Sequence, residues 1–103
     1  MSGDSASAEA GSAIRDLFNA VELGLDARQF LESNLGRYVA KRALDEMYAA
    51  TQALAEVDPF EHKEIVRFQL QHRVASAALS WLAQAIEAGS QAESTLMSME
   101  NTD

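Results

Sequence analysis

Cysteine is absent from this 103-residue sequence, and aromatic residues make up only 7% of it. Without thiols the chain has no disulfide framework, no thiolate metal site and no cysteine nucleophile. Proline occurs once, and neither Asn-Gly nor Asp-Gly, the dipeptides typical of tight hairpin turns, is present. The alternation of β-branched or aromatic residues with polar ones that marks strands is also missing. These absences predict an all-α fold.

Positive charge is scarce as well. The 8 Lys+Arg residues face 16 Asp+Glu residues, which gives a formal net charge of −8. This balance argues against a protein that binds nucleic acid directly by neutralising phosphates. The first eleven residues lack the positive and apolar regions of a secretory signal, and no run approaches the roughly 20 apolar residues of a membrane span. We expect a cytosolic protein with a flexible N-terminal tail over residues 1–11 and no membrane contact.

Alanine, the strongest helix former, is concentrated between Ala40 and Ala88. The chain is expected to form three helices. The first is short and covers about residues 12–23, where apolar residues share one helical face. Gly24 follows it and is expected to end it as a left-handed C′ residue.

The second predicted helix covers about residues 27–57. Its start is indicated by Asp26 as N-cap and by Leu25 and Phe30 at the positions of a hydrophobic staple. Gly36 lies inside this helix, where it costs about 1 kcal/mol relative to alanine. It indicates either a close approach of another helix or a bend.

The third predicted helix covers about residues 59–88. Asp58 is its expected N-cap and Pro59 its first residue, a position where the missing N–H does no harm. Gly89 is expected to end it, leaving residues 90–103 as a polar C-terminal tail. The sequence thus predicts a single helical domain over residues 12–89.

The short connection at the only proline requires the two long helices to run antiparallel. They are therefore predicted to form a long, coiled-coil-like helical hairpin with a short N-terminal helix. The expected contact seams repeat at intervals of three and four residues. On the second helix the seam comprises Ala43, Met47, Ala50, Leu54 and Val57. On the third helix it comprises Ile65, Phe68, His72, Ala75, Leu79, Leu82 and Ile86.

A second apolar row lies on the adjacent flank of the third helix. It comprises Val66, Leu70, Val74, Ala78, Trp81 and Ala85. One partner helix cannot cover both flanks of a cylinder, and monomers rarely leave large apolar patches exposed. The row is therefore predicted to bind a protein partner, in a homo-oligomer or a larger protein assembly. The alternative is a compact three-helix monomer in which the short first helix folds back and covers part of this apolar surface.

The residue types that carry catalysis form no recognisable constellation. His72 lies in the contact seam without an acidic neighbour one turn away, and His62 lies among charged residues near the hairpin tip. The two histidines fit no metal-ligand spacing, and no nucleophile elbow, phosphate-binding glycine loop or zinc-protease motif occurs. The sequence predicts a protein that is not an enzyme and that uses no cofactor or metal.

Basic residues cluster on one part of the second helix, beside an aromatic side chain. The cluster comprises Arg37, Tyr38, Lys41 and Arg42. Lys41 and Arg42 each have an acid four residues later, so local ion pairs are one interpretation. The other is a small anion-binding site for a nucleotide, assembled where protomers meet. Arg73 is also expected to pair with Asp45 across the hairpin.

Three short motifs follow one another along the chain. They are Leu-Gly-Arg-Tyr at residues 35–38, Val-Asp-Pro at residues 57–59, and Trp-Leu at residues 81–82 followed by Ala-Ile-Glu-Ala-Gly at residues 85–89. In these motifs the chain resembles small accessory proteins encoded by tailed bacteriophages. The resemblance implies an accessory protein in the host bacterial cytoplasm or in the virion, and it transfers no catalytic residue.

Two functions of different kinds are consistent with these features. The first is a non-enzymatic phage accessory or structural protein that self-associates or docks on a larger assembly through its apolar helical face. The alternative is an inhibitor of a bacterial defence system, acting as an acidic decoy of nucleic acid or by sequestering a nucleotide.

Overall fold

The chain folds into three α-helices. The computed structural model describes residues 2–101, and the burial of side chains from residue 8 onward. The helices are α1 (Ser2–Glu32), α2 (Asn34–Glu56) and α3 (His62–Glu100), and no strand occurs within residues 2–101. The long helices α2 and α3 pack against each other, and α1 also contacts α3. The predicted all-α fold with a long antiparallel hairpin is confirmed.

The first helix is much longer than predicted. It begins at Ser2 and continues through Gly24 to Glu32. The prediction of a flexible tail over residues 1–11 is therefore wrong for residues 2–11, and the predicted helix over residues 12–23 is too short; Met1 lies outside the described residues. Alanine-rich sequence tolerates a helical glycine at a cost of about 1 kcal/mol, which packing of the helix can offset.

The break between α1 and α2 lies seven residues beyond the predicted N-cap Asp26. Ser33 has extended backbone angles (φ −74°, ψ 160°), and its hydroxyl accepts a hydrogen bond from the Gly36 N–H at 3.0 Å. Ser33 is thus the N-cap, and the predicted start of this helix at residue 27 is wrong. Asp26 is tolerated within α1 as an exposed polar residue, because a capping residue acts only where the backbone leaves the helical conformation.

Gly36 lies where α1 and α2 meet. It is buried in the first turn of α2, and a Cβ atom added to it would overlap the carbonyl group of Phe30. That same carbonyl oxygen accepts a hydrogen bond from the Ser33 N–H at 3.0 Å. Gly36 therefore lies next to a break between two helices, and it is also a point where the backbone of α1 approaches closely. Both alternatives that the sequence left open are present.

The connection between α2 and α3 is a turn rather than the first turn of a helix. The Asp58 carboxylate accepts a hydrogen bond from the Phe60 N–H at 2.9 Å, and the Asp58 carbonyl accepts one from the Glu61 N–H at 2.9 Å. Pro59 occupies the second position of this turn, which suits its fixed φ. The predicted helix start at Pro59 is therefore wrong, and α3 begins at His62.

The third helix continues past its predicted end at Gly89. It reaches Glu100, so the polar tail predicted over residues 90–103 is helical as far as residue 100; residues 102 and 103 lie outside the described part. A C′ glycine needs a left-handed conformation, and no glycine within residues 2–101 has a positive φ. Ala92, beyond the predicted end, is buried, so tertiary packing supports this continuation.

The helices pack as two compact units. Unit 1 contains residues Met1–Gln29 and Leu82–Asp103, and unit 2 contains residues Phe30–Trp81. Unit 1 thus pairs most of α1 with the C-terminal part of α3, whereas unit 2 pairs α2 with the N-terminal part of α3. The single helical domain predicted over residues 12–89 coincides with neither unit.

Unit 1 is built on small residues. Its buried positions are Gly24 and Ala27 on α1 and Gly89 and Ala92 on α3. A Cβ atom on Gly89 would lie 2.9 Å from the carbonyl oxygen of Ala20 and 3.0 Å from the Gly24 Cα atom. The two glycines therefore face each other and let the helix backbones approach closely, which explains why both are kept inside helices.

Replacing Gly89 with alanine is expected to lower the free energy of unfolding by about 1 kcal/mol. Contact of the added Cβ atom with backbone atoms of α1 lowers the free energy of unfolding by about 1–3 kcal/mol. The better helix propensity of alanine raises it by about 0.5–1 kcal/mol. Thermal unfolding followed by circular dichroism measures the difference. Gly11→Ala is the matched control, because a Cβ atom at Gly11 has nothing within 4 Å. An increase in stability for both variants would contradict the close packing of unit 1.

Unit 2 contains the predicted hairpin seams. Ala43 and Ala50 on α2 are buried, and the other predicted seam residues of α2 are half-buried. On α3, all seven predicted seam residues are half-buried, those from Ile65 to Leu79 in unit 2 and Leu82 and Ile86 in unit 1. The burial agrees with the predicted seam of the hairpin from Ile65 to Leu79, and small alanine side chains lie where α2 approaches α3. Leu82 and Ile86 belong instead to unit 1, with α1, so the predicted seam is too long at this end.

Among the described residues, no helix combines the length and the hydropathy that a membrane span requires.

Candidate interaction surface

The buried interior of the described chain contains no large side chain. The buried hydrophobic residues are Ala27, Ala43, Ala50 and Ala92, and no large side chain among the described residues is fully buried. Fifteen large hydrophobic residues are instead exposed, and nine of them belong to unit 2. Large apolar side chains contribute most of the hydrophobic stabilisation of a domain. A substantial part of that surface is therefore left in contact with water, especially in unit 2.

The predicted partner-binding row on α3 is exposed over most of its length. The exposed fraction is 52% for Val66 and Leu70, 73% for Val74 and 68% for Trp81. Ala78 is half-buried in the same unit. Ala85 belongs instead to unit 1, where its carbonyl oxygen would lie 3.0 Å from a Cβ atom on Gly24. The row thus reaches from residue 66 to residue 81 as one surface, and Ala85 contacts α1.

An open apolar groove runs between α2 and α3 in unit 2. It has a volume of about 630 Å³. Tyr38 and Val39 line its α2 side, and Leu70, Val74 and Ala78 line its α3 side. We call these five residues, together with Val66 and Trp81 at the two ends of the α3 row, the groove face. All seven residues of the groove face belong to unit 2.

Charged groups at the edge of the groove are paired. The Arg42 Nε atom lies 3.5 Å from the Glu46 carboxylate, which also accepts a hydrogen bond from the Gln71 side chain at 2.9 Å across the hairpin. On α3 the Arg67 guanidinium lies 2.7 Å from the Glu64 carboxylate and 4.8 Å from the centre of the Phe68 ring. The apolar floor is therefore bordered by neutralised charges that can stay in water when the groove is covered.

The predicted anion-binding cluster lies on exposed turns of α2. The Lys41 ammonium pairs with the Asp45 carboxylate at 3.0 Å, and Arg42 pairs with Glu46. Tyr38, through a side-chain hydrogen bond and through its charge, raises the pKa of the Arg42 guanidinium, and Glu46 adds to this shift. Arg37 is exposed. Two of the three cations are thus neutralised locally, and Tyr38 also lines the apolar groove.

The predicted pairing of Arg73 with Asp45 is wrong. Asp45 pairs with Lys41 on its own helix. Arg73 and the half-buried His72 instead border a depression of about 320 Å³ with Thr51, on the flank where α2 and α3 meet. A polar contact that crosses the hairpin joins Gln71 to Glu46 at the edge of the groove, whereas Arg73 borders a different depression.

The histidines form no metal site with their neighbours. His62 is exposed at the first position of α3. Within the described part of the chain, no group of three or more His, Cys, Asp and Glu residues is placed to hold a metal ion.

Charge is divided unequally between the two units, a feature that the linear sequence does not display. Unit 1 contains nine acidic and two basic residues, a net charge of −7, whereas unit 2 contains seven acidic and six basic residues, a net charge of −1. The division arises because the fold brings residues 1–29 together with residues 82–103 in one unit. The groove face therefore belongs to the nearly neutral part of the protein.

The chain matches no protein-family model, no curated protein and no solved structure. The interpretation of the groove face therefore rests on its own geometry and chemistry.

Proposed function

We propose that this protein is a non-enzymatic, helical accessory or structural protein that works by association through the groove face of unit 2. The observation that carries the proposal is the row of mostly exposed side chains from Val66 to Trp81, on a helix whose adjacent flank faces α2. Continuous apolar surface of this kind marks a binding site for another protein.

The surroundings of this row support an interface rather than a catalytic pocket. Its charged neighbours are paired with one another, and the cavity is a groove open along the hairpin. Interface centres are typically apolar, aromatic and poor in charge, with polar groups at the rim. Tyr38 and Trp81 supply the aromatic side chains that carry much of the binding energy at such centres.

The setting that we propose for this activity is the infected bacterial cell or the phage particle. It is supported by the Leu-Gly-Arg-Tyr, Val-Asp-Pro and Trp-Leu motifs, which resemble those of tailed-phage accessory proteins. Residues 35–38 and 81–82 of these motifs lie at the groove face or next to it, so the resemblance includes part of the proposed interface.

Light scattering of the purified protein at micromolar concentrations tests the proposal. We expect a mass of at least two chains of 11.2 kDa. Trp81 is the only tryptophan, so its fluorescence emission is expected to shift to shorter wavelengths as concentration rises and association covers the ring. A monomer of 11.2 kDa with a constant emission maximum across this range would contradict self-association.

The second candidate, an acidic decoy that inhibits a bacterial defence protein, is favoured by one observation. The net charge of −7 in unit 1 concentrates the negative potential that a nucleic-acid-binding groove attracts. The two proposals depend on different residues. Inhibition by a decoy would survive a charged substitution in the groove face, whereas assembly through that face would not.

A further inference from the structure

We propose that the groove face binds a second copy of this chain, with the two α3 helices antiparallel and a two-fold axis beside Val74. This inference rests on the proposed function, because it names the partner of the same surface. It adds the identity of that partner, the direction of the two helices and the residue at the centre of the interface.

The order of side-chain sizes along α3 supports the antiparallel arrangement. With the axis at residue 74, Leu70 of one copy meets Ala78 of the other, so a large side chain faces a small one. Val66 of one copy lies within one residue of the position facing Trp81 of the other. Interlocking of large and small side chains fills an interface at the density of a protein interior.

A parallel dimer fits the same surface poorly. Each residue would then face its own copy, so the two Trp81 rings would crowd together while the two Ala78 methyl groups left a gap. The two Arg67 side chains, which border the groove, would also be brought together. In the antiparallel arrangement the two copies of residue 67 are about 21 Å apart along the helix axes, because a helix rises 1.5 Å per residue.

Charge selects a second copy over a strongly charged partner. The groove face lies in unit 2, whose net charge is −1, so it offers little electrostatic attraction to a strongly charged partner. A basic partner would instead be attracted to unit 1, with its net charge of −7.

The exposed apolar area is what a stable dimer needs. From the exposed fractions of Tyr38, Trp81 and the three aliphatic residues of the row, the groove face leaves roughly 300–500 Å² of apolar side chain in water on each copy. A standard interface buries about 800 Å² per partner, of which a little over half, roughly 450–500 Å², is apolar. The groove face therefore supplies the apolar centre of an interface of ordinary size.

The absence of native cysteine makes the axis directly testable by disulfide crosslinking. Val74→Cys places the two thiols next to each other at the proposed axis, within the distance of about 7 Å between Cα atoms that a disulfide requires. Val66→Cys is the matched control, because the two copies of residue 66 lie about 24 Å apart along the helix axes. Both valines are exposed on the same row, so neither substitution disturbs the hairpin.

Under mild oxidation with diamide, the Val74→Cys protein is expected to form a covalent dimer at least about tenfold faster than the Val66→Cys protein. A mixture of Leu70→Cys and Ala78→Cys proteins is expected to form the mixed disulfide in preference to either symmetric one. Circular dichroism of each variant confirms that the helices are retained.

The possible outcomes separate this inference from the proposed function. Equal crosslinking at residues 66 and 74 would show a parallel dimer and overturn the inference. Absence of crosslinking at residue 74 in a protein that light scattering shows to be a dimer would place the interface elsewhere and also overturn it, while self-association would stand. A protein that is monomeric by light scattering would contradict both.

Discussion

Replacing Gly36 with alanine is expected to lower the free energy of unfolding by about 3 kcal/mol or more, the largest effect among the four glycines whose surroundings the structure describes. The added Cβ atom would overlap the carbonyl group of Phe30. This group belongs to the backbone, so it cannot relieve the overlap by a change of rotamer as a side chain could. Overpacking in a tight site ordinarily costs 1–3 kcal/mol. Here the overlap is deeper than van der Waals contact, so the backbone at the junction of α1 and α2 must move.

The displacement of the backbone at residue 36 would also destabilise α2, which is part of unit 2. Gly36 donates its N–H to the Ser33 hydroxyl that caps α2, so moving residue 36 also weakens the cap, which is worth about 0.5–2 kcal/mol. In a domain of this length, 3 kcal/mol corresponds to a decrease in melting temperature of about 10 °C or more.

Thermal unfolding by circular dichroism measures this decrease. Gly11→Ala is again the matched control, and it is expected to raise stability by about 0.5–1 kcal/mol, because its added Cβ atom has no neighbour within 4 Å and alanine favours the helix. If Gly36→Ala and Gly11→Ala had the same melting temperature, the close approach of the Phe30 carbonyl to residue 36 would be refuted.

Replacing Leu70 with aspartate is expected to weaken self-association by at least about 100-fold. In the associated state the new carboxylate would be buried at the groove face, where the bordering Arg42 and Arg67 are already paired with Glu46 and Glu64. An uncompensated buried charge costs about 3–5 kcal/mol, and 1.4 kcal/mol corresponds to a tenfold change in affinity. The single chain should keep its helices, because 52% of Leu70 is exposed to water there.

Light scattering and sedimentation at matched concentrations measure the change. Leu44→Asp is the control, since Leu44 is an exposed leucine of unit 2 that does not line the groove. This control is expected to associate like the unsubstituted protein. Retention of the associated mass by Leu70→Asp, with loss of it in Leu44→Asp, would place the interface on the outer face of α2 instead.

Much of the candidate surface could be predicted from the sequence. The seam and the second apolar row lie on adjacent flanks of α3, and the structure gives them different burial. Phe68 and His72 of the seam are half-buried, whereas Val66 and Val74 of the row are exposed. This succeeded because the helical period assigns residues to faces without any knowledge of the partner helix.

The helix ends were predicted less well, for a physical reason that Gly24 and Gly89 share. A glycine in a helical sequence is compatible with a left-handed C′ position and with a close contact between helices. The choice depends on whether another backbone lies against it. Asp26 is ambiguous in the same way, because a capping residue has no effect where the helix simply continues.

The sequence by itself determined that the chain is helical, that it reverses direction near Asp58 and that one flank of α3 is apolar, since these properties follow from composition and from spacing along a single helix. Only the tertiary structure decided where α1 ends, which glycines are contact points and how the charge divides into a neutral and an acidic unit. Those features depend on residues that are distant in the sequence, such as Gly24 and Gly89, meeting across two helices. A periodic pattern along one helix contains no information about which other helix it will meet.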